Sequence, residues 1–265
     1  MSRLEKAIGG GHALIPYLTA SDPDDDAFVC AALGAIDGGA RALEIGVPHS
    51  DPVADGPVIQ HAHQRALAGG GSLGRTLSLI NGLRARTTVP MVLFTYLNPV
   101  LTMGPETFLR RTSEAGVDGV LVLDLPPEEE PGWFESAAAC GVDPIVLVSP
   151  NTTESRAQHI ADSGRGFVYL VARHGVTGTH DPSTIELASR IQQIRDRSGL
   201  PVAVGFGVRG PEDVRRLWKL ADGVVVGSAL IHHLQRRGGQ NAFQAAKVFV
   251  RGLVEAGSAL RENHA

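Results

Sequence analysis

The chain has 265 residues, 43% of them hydrophobic, and a formal net charge of −4. This composition can fill a sizeable core, and it excludes a membrane protein, since no apolar run approaches the roughly 20 residues that a bilayer-spanning helix needs. The positive charges are scattered, which leaves no basic stripe for nucleic acid, and the opening segment lacks the long apolar stretch of a secretory signal, so a cytoplasmic protein is expected.

Short β-branched runs alternate with segments of helical period along the chain. The runs are His12–Thr19, Ala42–Gly46, Met91–Tyr96, Gly119–Leu123, Pro144–Val148, Gly166–Val171, Pro201–Gly205 and Gly223–Val226. They are continuous rather than alternating in polarity, as strands covered on both faces of a parallel sheet are. Between them the periodicity predicts helices over Asp24–Ile36, Leu73–Arg84, Pro105–Ala115, Glu128–Cys140, Glu154–Ser163, Ile185–Arg197 and Pro211–Leu220. Thr153 ahead of Glu154, and Gly210-Pro211-Glu212-Asp213, carry helix-start chemistry. Gly116, Gly141 and Gly164 follow helical runs where a left-handed cap favours glycine. Cys30 and Cys140 lie in Ala-rich stretches and read as small buried hydrophobes rather than a disulfide or metal pair.

Eight strand-like runs with interleaved helices and no internal linker predict a (β/α)8 barrel, one domain over residues 1–265. The unusual residues follow the strand runs: Asp51–Pro57, Asn98-Pro99, His174–Gly178, Gly205–Gly207 and Gly227-Ser228. That rim is where such barrels build active sites, whereas a doubly wound sheet gathers its site at one switch point.

Three of the rim turns are rich in glycine: Gly175–Gly178, Gly205–Gly207 and Gly227-Ser228. Glycine allows several backbone N–H groups to converge on a phosphate, and a helix N-terminus adds a favourable dipole. Any one of these turns could simply join a strand to a helix, but together they point to a phosphate ester. Ser228 is placed to cap the helix that follows and to donate its hydroxyl. None of the turns has the nucleotide P-loop pattern.

Glu44 sits inside the apolar run Ala42–Gly46. A carboxyl group there is either paired with a neighbour such as Arg41 or placed in the barrel mouth as an acid or base. Asp55 lies in Ser50–Pro57, where Asp-Gly and Asp-Pro are also ordinary turn chemistry; its closeness to Glu44 on one rim raises the functional reading. Tyr169 in the sixth run is a core tyrosine or a site residue, and Tyr96 and Asn98 end the third run at the same mouth. The histidines promise less. His61 and His63 are two residues apart on a helix and face different ways, and no zinc motif occurs, so no metal is expected.

Laid out this way, the chain resembles the tryptophan synthase α subunit family. The resemblance rests on Leu43–Pro48 running into Ser50–Pro57, then Thr95–Pro99, Asp124–Glu129, Gly175–Gly178, Gly205–Gly207 and Gly227-Ser228, with Ile15–Ala20 near the start. It implies retro-aldol cleavage of indole-3-glycerol phosphate to indole and glyceraldehyde 3-phosphate. It casts Glu44 as the acid–base catalyst, Asp55 as the carboxylate that receives the indole N–H, and Tyr169 as a positioning residue beside Glu44. Tyr17 and Tyr96 fall among the substrate contacts, and Gly178, Gly207, Gly227 and Ser228 among the phosphate contacts. Thr177 falls on a loop that closes over Asp55. The resemblance further implies no cofactor in this chain and a pyridoxal-phosphate β subunit as partner in an α2β2 assembly.

The chain departs from the family pattern at His49, usually Phe or Tyr, at Ser21, usually Gly, and at Leu123, commonly Pro. The segment before His12 is short, so a helix covering the barrel bottom is expected to be reduced. His49 and the short N-terminal segment leave open a stand-alone lyase that releases free indole; a non-catalytic allosteric subunit is the third reading, and the retention of Glu44, Asp55 and Tyr169 argues against it.

Overall fold

A computed structural model describes residues 1–149, 151–171, 184–205, 207–237 and 241–258. The strands are β1 (Ala13–Thr19), β2 (Leu43–Gly46), β3 (Met91–Thr95), β4 (Gly119–Val122), β5 in two pieces (Asp143–Pro144 and Val146–Val148), β6 (Val168–Val171), β7 (Val202–Gly205) and β8 (Gly223–Val226). All pair in parallel, with β1 between β2 and β8. The first piece of β5 pairs with β4, Gly119 opposite Asp143, and the second pairs with β6, Leu147 opposite Tyr169. Ile145 joins them and donates its N–H to Val120 O at 2.8 Å. The sheet therefore closes on itself through a single interrupted strand, giving the expected barrel.

Both faces of each strand are buried, which explains the unbroken apolar runs. Ile15, Tyr17, Val92, Phe94, Leu121, Tyr169 and Ala203 fill the inside. The alternate residues, such as Leu14, Leu43, Leu93 and Val204, pack outward against the helices.

The N-terminal end of the barrel is plugged. Helix Arg3–Ile8 is short, as expected, yet it carries a full capping box between Ser2 and Glu5. Its Leu4 and Ile8 are fully buried and join the inner cluster.

Helices Leu73–Arg84 and Glu154–Ser163 match their predicted bounds, and Thr153 caps the second. Helix Pro131–Ala139 begins later than Glu128, with Pro131 in its first turn. Gly116 and Gly141 are left-handed at φ 80° and 76°, but Gly164 is extended at φ −89°. The periodicity gave no warning of helices Leu97–Met103 and Ala242–Ser258.

The cysteines need correcting. On helix Asp25–Asp37 the buried stripe runs through Phe28, Ala31, Ala32 and Ala35, which turns Cys30 outward into solvent. Cys140, at the end of its helix, is half-buried. No helix among the described residues is long and apolar enough to cross a membrane.

Candidate active site

Glu44 shares its inward phase with Ala42 and is the register partner of Tyr17 on β1 and Val92 on β3. It is 2% exposed. Arg41 does not pair with it, and its Oε1 has no hydrogen-bond partner among the described residues. Burial, and then the negative charge of Asp55, push its pKa up to about 8. Glu44 is thus a neutral acid at pH 7, able to give up a proton and take it back.

Two tyrosines stand beside it, each over a glycine. A Cβ on Gly46 would overlap the Tyr17 ring, and one on Gly205 would overlap the Tyr169 ring. The missing side chains at these strand ends let both rings lie across the barrel mouth. Burial and the nearby carboxylates raise both phenols well above their ordinary value, so they stay protonated. The Tyr17 hydroxyl lies 3.3 Å from Thr19 Oγ1.

The loop after β2 brings in the second acid. Asp55 N donates to Pro52 O at 3.0 Å, and Gln60 Nε2 donates to Asp55 O at 2.9 Å. Gly56 and Pro57 then open helix Pro57–Ala68. The Asp55 side chain is turned inward and is 2% exposed. Its Oδ2 accepts the Tyr96 hydroxyl at 2.9 Å, while Ala54 N donates to that hydroxyl at 3.2 Å. Burial and the Asp55 charge raise the Tyr96 phenol.

His63 corrects the sequence reading of the histidines. It lies on the buried stripe Ala62, His63, Ala66 of its helix and is 1% exposed. Its Nε2 is 3.4 Å from Asp55 Oδ2 and its Nδ1 accepts His49 N at 3.3 Å. The His61 side chain is exposed, so the two do face different ways. The stripe was visible in the spacing; what it packed against was not. His49 stacks on Tyr96, ring centroids 4.7 Å apart. Burial and the neighbouring His63 lower the His49 pKa, favouring its neutral form.

At the opposite rim Gly227, not Ser228, is the N-cap of helix Ser228–Arg236. Ser228 is its first residue, so the cap expected of its hydroxyl is not made. Gly227 packs beside the Tyr17 ring, and Gly207 is left-handed at φ 83°. Thr177 and Gly178 lie outside the described residues. Among the described residues, no group of three or more His, Cys, Asp or Glu is placed to hold a metal.

The structure thus brings Glu44, Asp55, Tyr17, Tyr96 and Tyr169 into one cup, with Gly227 against its wall. Fold and cup together define a (β/α)8 barrel of the enzyme type, with a buried neutral acid and an anchored carboxylate at its C-terminal mouth.

The chain belongs to the tryptophan synthase alpha chain family, whose model matches residues 5–258. It is 44% identical over 248 residues to the tryptophan synthase alpha chain of Azoarcus sp. (strain BH72), covering 93% of this chain and 92% of that one. It is 47% identical over 223 residues to the tryptophan synthase alpha chain of Methylococcus capsulatus, covering 84% of each. The crystal structure of tryptophan synthase subunit alpha from Legionella pneumophila str. Paris superposes with a TM-score of 0.88 at 33% identity, covering 98% of this chain and 99% of the other. A chain from the tryptophan synthase a2b2 complex of Pyrococcus furiosus matches with a TM-score of 0.83 at 38% identity, covering 92% and 98%.

Proposed function

We propose that the cup is where indole-3-glycerol phosphate is cleaved to indole and glyceraldehyde 3-phosphate, the lyase reaction of the family to which the chain belongs. The observation that carries this reading is Glu44: a buried carboxyl group whose pKa is pushed up to about 8, beside a second carboxylate with its own hydrogen bond.

The chemistry follows from that pair. Glu44 gives its proton to indole C3. Positive charge then builds toward N1, and the Asp55 carboxylate accepts the N1–H and stabilises it. The Glu44 carboxylate next takes the hydroxyl proton of the glycerol side chain. The carbon–carbon bond breaks, its electrons return to the indole ring, and an aldehyde forms. Glu44 ends protonated, so the cycle closes without a cofactor in this chain.

Tyr169 and Tyr17 wall the indole. Gly207, Gly227 and Ser228 receive the phosphate; Gly178 and Thr177, which the family resemblance assigns to the phosphate and to the covering loop, lie outside the described residues. The N–H groups opening helix Ser228–Arg236 supply the dipole such an anion favours. Ser228→Ala is expected to weaken binding of a glycerol-phosphate analogue with little change in kcat, as titration calorimetry would report.

The chain works as one cytoplasmic barrel domain beside a pyridoxal-phosphate β subunit, in an α2β2 assembly. Support comes from the Pyrococcus furiosus relative, whose structure is of an a2b2 complex. No observation favours the stand-alone or the non-catalytic alternative. The decisive experiment is turnover of indole-3-glycerol phosphate by the purified chain, with and without β subunit. Slow cleavage that rises sharply with β subunit is expected; no cleavage under either condition would overturn the reading.

A further inference from the structure

Two side chains reach Asp55 Oδ2, and each has its polarity set by a backbone N–H from the same loop. Ala54 N–H points at the Tyr96 oxygen, so the Tyr96 proton goes to Asp55. His49 N–H points at His63 Nδ1. An imidazole nitrogen that accepts a hydrogen bond carries no proton, so the His63 proton sits on Nε2. That nitrogen is buried, has no hydrogen-bond partner of good geometry among the described residues, and faces Asp55 Oδ2 at 3.4 Å.

We infer that His63 is a positioning residue for Asp55. Held neutral with its proton on Nε2, it orients Oδ2 together with Tyr96 and leaves Oδ1 for the substrate N–H. The inference rests on the role proposed for Asp55 and goes further, naming what aims that carboxylate. The His63–Asp55 contact is long at 3.4 Å, so it aims the carboxylate rather than gripping it. The charged and titratable groups around His63 are Asp55 and His49 from the loop after β2, Asp22 from the loop after β1, and Arg65 on its own helix, which grips Asp22 at 2.8 Å. A proton on Nδ1 would confront the His49 N–H and break that bond, and this keeps the ring neutral.

The first test is made on the intact wild-type chain. Nitrogen-15 NMR of labelled histidine, with His63 assigned by its loss in His63→Gln, is expected to show Nδ1 unprotonated and Nε2 protonated at neutral pH. An imidazolium or the opposite tautomer would overturn the inference.

The second test compares His63→Leu with His63→Gln, which keeps an N–H donor. The leucine variant is expected to lose about tenfold or more in kcat/KM. Affinity for glycerol 3-phosphate should not change, and the glutamine variant should retain most of the activity. Equal loss in both variants would mean that His63 only fills space. Asp55→Asn separates the two levels. If it turns over normally, the role of Asp55 itself fails. If it is inactive while His63→Leu behaves as wild type, only the present inference fails.

Discussion

Tyr17 and Glu44 are register partners on adjacent strands, and the Tyr17 ring reaches over Gly46, two residues beyond Glu44 on β2. A phenol that stays protonated thus roofs a carboxyl group that does too. The acid is kept dry by an aromatic ring, and the ring has room because a side chain is missing beneath it.

If Glu44 is the proton donor, Glu44→Gln keeps the shape and loses the chemistry. Cleavage should fall by at least about 100-fold, within the usual contribution of a general acid. Binding of glycerol 3-phosphate should stay near wild type. Single-turnover kinetics and calorimetry together check this, and near-normal turnover would remove Glu44 from the mechanism.

The raised pKa of Glu44 also links stability to pH. Below its ordinary value of 4.5 the carboxyl is protonated in both folded and unfolded chains, and its contribution to stability is fully present. As pH rises toward about 8, the unfolded chain releases the proton while the folded one holds it, so stability falls. Glu44→Gln lacks this descent. Its melting temperature should pull ahead of wild type by several degrees between about pH 5 and about pH 8. In the wild type kcat/KM should fall as pH rises through the same upper value, because the free enzyme loses its acid.

Gly205→Ala tests the space under Tyr169. The added methyl would overlap the ring, which must tilt or push the strand. A cost of about 1–3 kcal/mol is expected in urea denaturation. Activity should fall further than stability explains. Wild-type kinetics in this variant would show that the Tyr169 position is not critical.

Ser21 is buried and left-handed at φ 61°, a conformation costly for a residue with a Cβ. Its hydroxyl donates to Asp25 Oδ1 at 2.7 Å, which offsets part of that cost. Ser21→Ala keeps the strain and loses the bond, whereas Ser21→Gly loses both. The glycine variant should therefore be more stable than the alanine variant by about 1 kcal/mol. The reverse order in thermal denaturation would mean that the backbone there is not strained.

Much of this was legible in the sequence, for identifiable reasons. The strands could be read because two covered faces leave unbroken apolar runs. Glu44 stood out because a carboxyl group inside such a run is costly. Cys30 was misread because an Ala-rich neighbourhood says nothing of helical phase, although the stripe from Phe28 to Ala35 already placed it outside. His63 was missed because two histidines were judged as a pair, when one alone met Asp55. Contacts between a helix and a loop that folds back on it have no sequence period. The break of β5 at Ile145 was equally hidden, since it follows from closing the barrel and not from local preference.

That break bears on how the molecule opens. The two ends of the sheet are consecutive pieces of one strand, so among the described residues the barrel offers no long bare edge on which another protein's strand could zip. Its weakest join is the short ladder between β4 and the start of β5, where Pro144 contributes no N–H. In deuterated solvent the amides of Asp143 and Ile145 should exchange ahead of those deeper in β1–β3, marking the line along which the cylinder would unroll.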